Sequence, residues 1–297
     1  TNDHVKALPF EIRGSAFDLS LDFIDTGEEA WFQWEFDPAL FSADAVGFLH
    51  NALFQSTVES RPPNVVTPVS PPLANEWERI VREFRSEEAL MDGREVLTFE
   101  ELNARMTDWF ERLEWSGSGI LPIIAERTVD HIALIMTCLT RGIPFIPIDV
   151  ETPPDRIAHI ESLCGQPALN AATSSGNISI RPHRDFSKDL AYAIATSGST
   201  GQPKLVGVKR SGYEAAIGAW AGDYGITPKD KSLQAASFSF DVFLGDLGRS
   251  LFQGSALVVL NAVQRKDPAE IARQLVARRI TVFETTPLVV RWWMEEP

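Results

Sequence analysis

The apolar stretch Leu190-Ala-Tyr-Ala-Ile-Ala195 runs without a break into Thr196-Ser-Gly-Ser-Thr-Gly-Gln-Pro-Lys204. The first part reads as a short buried strand. In the second, two glycines permit positive φ and close backbone approach, the hydroxyls add donors, and a lysine closes the run. Such a segment can wrap a polyphosphate with backbone N–H groups while the ammonium offsets its charge. Ligands of doubly wound sheets sit at the ends of strands, so the segment asks for an α/β fold with a crevice there. It is not a Walker A loop, since no Gly-Lys-Ser/Thr follows at the required spacing, and no Rossmann GxGxxG is present. A merely flexible Ser/Gly loop is the plain alternative, and the preceding strand and Pro203-Lys204 count against it.

The surrounding chain supplies the alternation that such a fold needs. Thr98-Phe-Glu-Glu101 is a capping box, and the helix after it places Phe99, Leu102, Met106, Trp109, Phe110 and Leu113 on one stripe. Strands are predicted at Ile120–Ala125, Phe145–Asp149, Ala256–Leu260 and Ile280–Phe283. Helices are predicted at His131–Thr140, from Pro153 onward, and from Asp267 to about Arg279. Strand, helix, strand in this order argues for a parallel sheet with helices on its faces.

Upstream, Arg61–Ala74 is rich in prolines, which remove backbone donors and favour an extended connector. Before it, Phe17–Phe23 and Ala30–Phe36 alternate as strands, and Asp44–Val58 reads as a helix with Val46, Leu49, Leu53 and Phe54 on one face. Two strands and a helix in about 60 residues bury too little surface to stand alone. The expected division is residues 1–60, a linker over 61–74, and a main part over 75–297.

With 27 Lys and Arg against 41 Asp and Glu, the net charge is −14. That surface repels phosphate backbones and anionic lipid, which excludes a general nucleic-acid or membrane binder. It leaves room for one anionic ligand held by a local nest. No apolar run approaches the ~20 residues of a membrane helix, and Thr1–Lys6 is not a signal peptide, so a soluble cytoplasmic protein is expected. Cys138 and Cys164 are too few for a disulfide framework or a tetrahedral cysteine site and are expected as reduced core thiols. The histidines, at 4, 50, 131, 159 and 183, show no metal-ligand spacing.

Thr196–Lys204 resembles the phosphate-loop signature of adenylate-forming enzymes, and in particular of the adenylation domains of nonribosomal peptide synthetases. Leu97–Leu102, Leu139–Asp149, Pro154-Asp155-Arg156 and Phe240-Asp241 resemble further motifs of that family, in its order. The resemblance runs from about Glu76 to the end of the chain. The segment before the linker, with Leu8-Pro-Phe10, Phe17-Asp-Leu19 and Trp34–Phe41, resembles the C-terminal end of a condensation domain. The double-histidine motif of those domains is absent, so no condensation activity is assigned.

The resemblance implies an α/β fold: an incomplete large subdomain of an adenylate-forming enzyme, with mixed, mostly parallel sheets, preceded by a short α+β condensation-domain remnant. It implies that ATP and an amino acid give aminoacyl-AMP and pyrophosphate, and that the aminoacyl group passes to a carrier-protein phosphopantetheine thiol in antibiotic or siderophore biosynthesis. Thr196, Ser197, Gly198, Ser199, Thr200, Gly201 and Lys204 would hold the β- and γ-phosphates; the family usually has Gly after this lysine, where Leu205 stands. Asp241 would pair with the substrate's α-ammonium, unless it caps the following helix. Phe240, Val242 and Gly245 would line the amino-acid pocket, and Glu284 would reach it from a strand end unless it is simply solvated there. A carboxylate in an apolar pocket is costly unless paired. The set Asp241, Val242, Gly245, Glu284 therefore points to a basic side chain and looks like the start of ornithine-selecting pockets.

The chain ends at Trp292–Pro297, before the family's adenine-contacting Tyr-Gly-Pro-Thr-Glu stretch, its ribose-binding aspartate and its small domain with the catalytic lysine. No catalytic residue and no metal ligand is assigned here, and the magnesium ligand is expected in the missing part. The chain alone is expected to be an incomplete enzyme: an excerpt, half of a split enzyme, or a non-catalytic docking module. Implied partners are the amino acid, a peptidyl carrier protein, a neighbouring condensation domain, the missing C-terminal part and a small MbtH-like activator. An acyl- or aryl-CoA ligase is the alternative; Asp241 speaks against it, because substrates without an α-amino group need no carboxylate there.

Overall fold

A computed structural model describes residues 19–25, 30–36, 42–43, 46–47, 72–170, 174, 176–183, 186, 189–197 and 203–286. The chain divides into two units, Thr1–Val66 and Thr67–Pro297. In the first, β1 (Leu19–Asp25) and β2 (Ala30–Phe36) pair antiparallel, with Leu19 opposite Phe36 and Asp25 opposite Ala30. These are the two strands expected from alternation. The helix expected over 44–58 lies almost entirely outside the described residues, as does the linker through 71.

The second unit opens with α1 (Leu73–Glu83), so Leu73 and Ala74, assigned to the linker, are already helical. Next come β3 (Glu88–Met91), β4 (Val96–Thr98), α2 (Phe99–Arg112), β5 (Leu113–Trp115), β6 (Leu121–Ala125), α3 (Val129–Arg141), β7 (Phe145–Asp149) and α4 (Pro154–Cys164). The chain continues through β8 (Leu169–Asn170), β9 (Ile178–Ile180), β10 (Leu190–Ser197), β11 (Pro203–Lys209), α5 (Arg210–Tyr224) and β12 (Lys231–Gln234). It closes with α6 (Asp241–Leu251), β13 (Ala256–Val259), α7 (Pro268–Ala277) and β14 (Val282–Phe283). Two five-stranded sheets result, ordered β11-β10-β7-β6-β8 and β14-β12-β13-β3-β4. Their pairings are parallel except β10–β11 and β3–β4.

Side-chain alternation divides the cores. Leu121 and Ile123 of β6, with Tyr192 and Ile194 of β10, enter a main core shared by both sheets and by α1, α2, α3, α5 and α6. Ile146 and Ile148 of β7 and Ala193 of β10 enter a smaller core with Ile160 and Cys164 of α4. In the other sheet Leu257 and Val259 join the main core, while Ala256 and Val258 pack with Ile271 of α7. Strands buried on both faces read as continuous apolar runs, which is why they are legible without polar alternation.

The capping box forms as expected: the Glu101 N–H donates to Thr98 Oγ1 at 3.2 Å, and the Thr98 N–H donates to the Glu101 carboxylate at 2.8 Å. On α2, Phe99, Leu102, Met106 and Trp109 are buried. Two members of the predicted stripe differ. Phe110 is 40% exposed at the helix's last turn, where the Arg141 guanidinium covers its ring at 4.3 Å. Leu113 has left the helix for the extended backbone of β5. Both cysteines are free and buried, and burial pushes the Cys138 thiol up and that of Cys164 to about 12. Among the described residues no helix is long and apolar enough to cross a membrane.

Candidate active site

The strand before the glycine-rich run pairs in parallel with β7 through Tyr192, opposite Phe145. Its other side pairs with β11 along its length, ending with Thr196 opposite Lys204 and Ser197 opposite Pro203. The segment expected as a loop is therefore a hairpin whose stems carry four of its residues: Thr196 and Ser197 end β10, and Pro203 and Lys204 open β11. A proline is tolerated at the first position of an edge strand. Thr196 and Lys204 are exposed, and Thr196 Oγ1 donates to the Lys204 carbonyl at 3.4 Å. Gly198, Ser199, Thr200 and Gly201 lie outside the described residues, as does the Ser197 side chain. Arg156 of α4 donates from Nη2 to the Ala195 carbonyl at 2.8 Å, immediately before Thr196. It fixes the end of β10, beyond its pairing with β7 at Tyr192.

The opposite wall is built from the end of β7. Asp149 Oδ2 accepts from the Ser237 hydroxyl at 2.8 Å and the Phe238 N–H at 3.1 Å, and the Asp149 N–H donates to Ser239 Oγ at 2.9 Å. Burial alone would raise this carboxyl. Hydrogen bonds from the Glu151 N–H, Ser237 and Phe238, together with the Arg127 charge, bring it below the ordinary range instead. Arg127, after β6, lies 4.0 Å from Asp149 Oδ2 and 4.6 Å above the Phe238 ring. It donates to Gln234 Oε1 at 2.7 Å, to the Leu260 carbonyl at 3.2 Å and to the Ala236 carbonyl. Burial, with Arg265 adding repulsion, lowers its pKa to about 10. Arg127 and Asp149 thus tie the two sheets together at the carboxyl ends of their parallel strands, where ligands bind in open α/β sheets.

The tethered segment leads into α6. Phe240 is the N-cap residue, 63% exposed, and no side chain caps the helix. Asp241 is the first helical residue and exposed, so it is not a cap; its charge sits at the positive end of the helix dipole. Burial, with the Asp241 charge adding to it, pushes the Tyr192 phenol of β10 up to about 12. Val242 is half-buried. Gly245, one turn beyond Asp241, is buried. A Cβ there would lie 3.5 Å from Trp220 and 3.9 Å from the Arg249 guanidinium. Asp241, Gly245 and Arg249 share one face of α6.

Glu284 follows β14 and is 45% exposed, but it is not a lone carboxylate: it pairs with Arg249 Nη1. Arg249 Nη2 pairs with Asp246, and the side chains of Arg249 and Asp246 are only 4% and 2% exposed. Burial pushes the Asp246 carboxyl up to about 7 against the pull of Arg249. Burial works against the Arg249 charge too, but Asp246 and Glu284 outweigh it and hold the guanidinium above its ordinary range. The sequence reading missed Arg127, Asp149, Arg156, Asp246 and Arg249 as site residues. The last two carried a signal: charges at i and i+3 inside the otherwise apolar run Phe243–Leu251 have to pair with each other. Among the described residues no three His, Cys, Asp or Glu side chains converge to hold a metal ion. These residues do not fit a magnesium site, and their chemistry is binding and orientation.

Residues 166–297 match the family model for AMP-binding enzymes. The chain is 31% identical over 231 residues to gramicidin S synthase 2 of Brevibacillus brevis, covering 70% of this chain and 5% of that protein. It is 26% identical over 341 residues to tyrocidine synthase 3 of Brevibacillus parabrevis, covering 96% of this chain and 5% of that protein. Both relatives are therefore many times longer than the stretch they share with this chain. The solved N-terminal subdomain of Klebsiella oxytoca NpsA superposes with a TM-score of 0.60 at 21% identity, over 75% of this chain and 63% of that one. The chain carries the fold and motifs of the AMP-binding, adenylate-forming enzymes. Within that class its relatives place it with the adenylation domains of nonribosomal peptide synthetases.

Proposed function

We propose that this chain binds ATP and an amino acid for aminoacyl-AMP formation, the first step of loading a carrier-protein phosphopantetheine thiol in nonribosomal peptide synthesis. The observation that carries the reading is the position of Asp241. It is an exposed carboxylate at the start of α6, on a segment locked by Asp149 to the end of β7, the strand that pairs with β10, which leads into the hairpin. An acceptor-only carboxylate suits the three-donor α-ammonium of an amino acid. With the amine held there, the substrate carboxylate can lie toward the hairpin, where Thr196–Gly201 and Lys204 take the β- and γ-phosphates. A carboxylate is a weak nucleophile; in-line placement and neutralisation of the leaving pyrophosphate's charge make its attack on the α-phosphate feasible.

The side chain of the substrate would extend past Val242 and Gly245 toward Glu284, and a basic, ornithine-like amino acid suits that end. Residues 1–60 are assigned as the end of a condensation domain. A peptidyl carrier, the remaining C-terminal part and an MbtH-like activator are the assigned partners, in the cytoplasm. Amino-acid-dependent ATP–pyrophosphate exchange across all amino acids, with a C-terminal part bearing the family's lysine restored, tests the reading. Exchange driven by an amino acid supports it. ATP turnover driven only by carboxylic acids lacking an α-amino group overturns it in favour of an acyl- or aryl-CoA ligase.

A further inference from the structure

Inside α6, one guanidinium serves two carboxylates from different elements. Arg249 pairs through Nη2 with Asp246, one turn back on its own helix, and through Nη1 with Glu284 beyond β14. Its Cζ lies 5.8 Å from the centroid of the Trp220 ring of α5, and its terminal nitrogens lie 3.9 Å from where a Cβ on Gly245 would stand. Buried ion pairs are poor sources of stability, since apolar residues of the same volume often do as well. The cluster is also incompletely satisfied: Asp246 Oδ2 and Arg249 Nε are buried without a hydrogen-bond partner. With all three groups ionised it carries one net negative charge, half-exposed at Glu284. A flexible glutamate at the end of a two-residue strand would otherwise sample many rotamers, and ordering it on binding would cost affinity.

We propose that Asp246 and Arg249 are specificity-positioning residues, a buried pair that holds the Glu284 carboxylate at the far end of the amino-acid pocket so that it meets a cationic side-chain terminus. The inference rests on the adenylation reading of Asp241. Asp246 fixes the guanidinium, the guanidinium occupies one side of the Glu284 carboxylate, and the remaining lone pairs of Glu284 face the substrate. Gly245 leaves the space between Asp241 and Arg249 free of a side chain, so the substrate chain can reach that end.

The test is pyrophosphate exchange by the complete protein with ornithine and lysine against their uncharged analogues norvaline and norleucine. The wild type is expected to prefer the cationic member of each pair. Asp246→Asn and Arg249→Lys are expected to lower the ornithine-to-norvaline ratio of kcat/KM by about tenfold or more, through KM for the amino acid, with KM for ATP little changed. A lysine keeps the charge but cannot span two carboxylates. A purely structural role would depress both amino acids equally, and an unchanged ratio overturns the proposal. Should the buried variants fail to fold, Glu284→Gln, at a half-exposed position, reads the same ratio, and an unchanged value there also overturns it. A wild type that exchanges only with neutral amino acids leaves the adenylation reading standing and refutes this inference. Exchange with no amino acid at all refutes the reading beneath it.

Discussion

Replacing Arg127 by methionine keeps the length and apolar volume of the side chain and removes its charge and donors. Two buried acceptors, Gln234 Oε1 and the Leu260 carbonyl, then lose their donor, while the half-buried Ala236 carbonyl keeps only its bond from Gln234 Nε2. Asp149 loses the cation 4.0 Å away while keeping its hydrogen bonds from Ser237 and Phe238. Breaking a buried charged network by removing one partner costs about 3–5 kcal/mol. In a unit of this size each kcal/mol moves the midpoint by roughly 2–4 °C, so Arg127→Met should lower the thermal midpoint by about 6–20 °C. Arg127→Lys, which keeps charge but not the fork, should fall between the two. Circular dichroism melts of the three proteins in one buffer measure this. A methionine variant melting within 2 °C of the wild type would show that the tie between the two sheets contributes nothing, and the account of how the crevice is held would fail.

Arg156→Ala should raise KM for ATP by roughly 3–10-fold, the worth of one hydrogen bond, with a smaller effect on KM for the amino acid, because the Ala195 carbonyl it holds leads into the hairpin; steady-state kinetics of the complete enzyme would show this, and equal changes in both constants would contradict it. Asp246 gives a pH signature. Its folded carboxyl titrates at about 7, so the folded chain keeps a proton that the unfolded chain releases near pH ~4; that contribution to stability is full below pH ~4, is lost as pH rises through 7, and is absent in Asp246→Asn. Urea melts should therefore show the wild type losing stability relative to the variant between pH ~4 and 7, and a constant difference would refute the burial argument. Both thiols sit at 0–1% exposure, so a disulfide exchange reagent should label neither in the native chain and both in denaturant; fast native labelling would contradict the packing.

Much of this was legible in the sequence. Alternation gave β1 and β2, and the capping box gave the start of α2, because both signals are local. Phe110 and Leu113 were misplaced because periodicity marks a face of a helix, whereas the helix end and the reach of the core are set by tertiary packing. The glycine-rich run reads as a loop for a similar reason: Thr196, Ser197, Pro203 and Lys204 become strand only when β10 and β11 pair. Asp241, Gly245 and Glu284 could be named as candidates, but the charge on Glu284 could not be interpreted without Arg249, which lies far from it in the chain and meets it only in the fold. Asp149 is visible in the sequence only as the last residue of the Leu139–Asp149 motif, and Arg127 carries no signal of its own. Their role depends on bringing together β6, β7, β12 and β13.

The central claim, that the hairpin cradles a nucleotide's phosphates beside a carboxylate that grips an amine, is tested most directly by comparing the complete protein with its Ser199→Val/Thr200→Val form in amino-acid-dependent ATP–pyrophosphate exchange. The account predicts exchange in the first and a loss of at least about a hundredfold in kcat/KM for ATP in the second, the scale of losing two preorganised donors to the phosphates. Equal exchange rates and equal ATP affinity in the two proteins would contradict it.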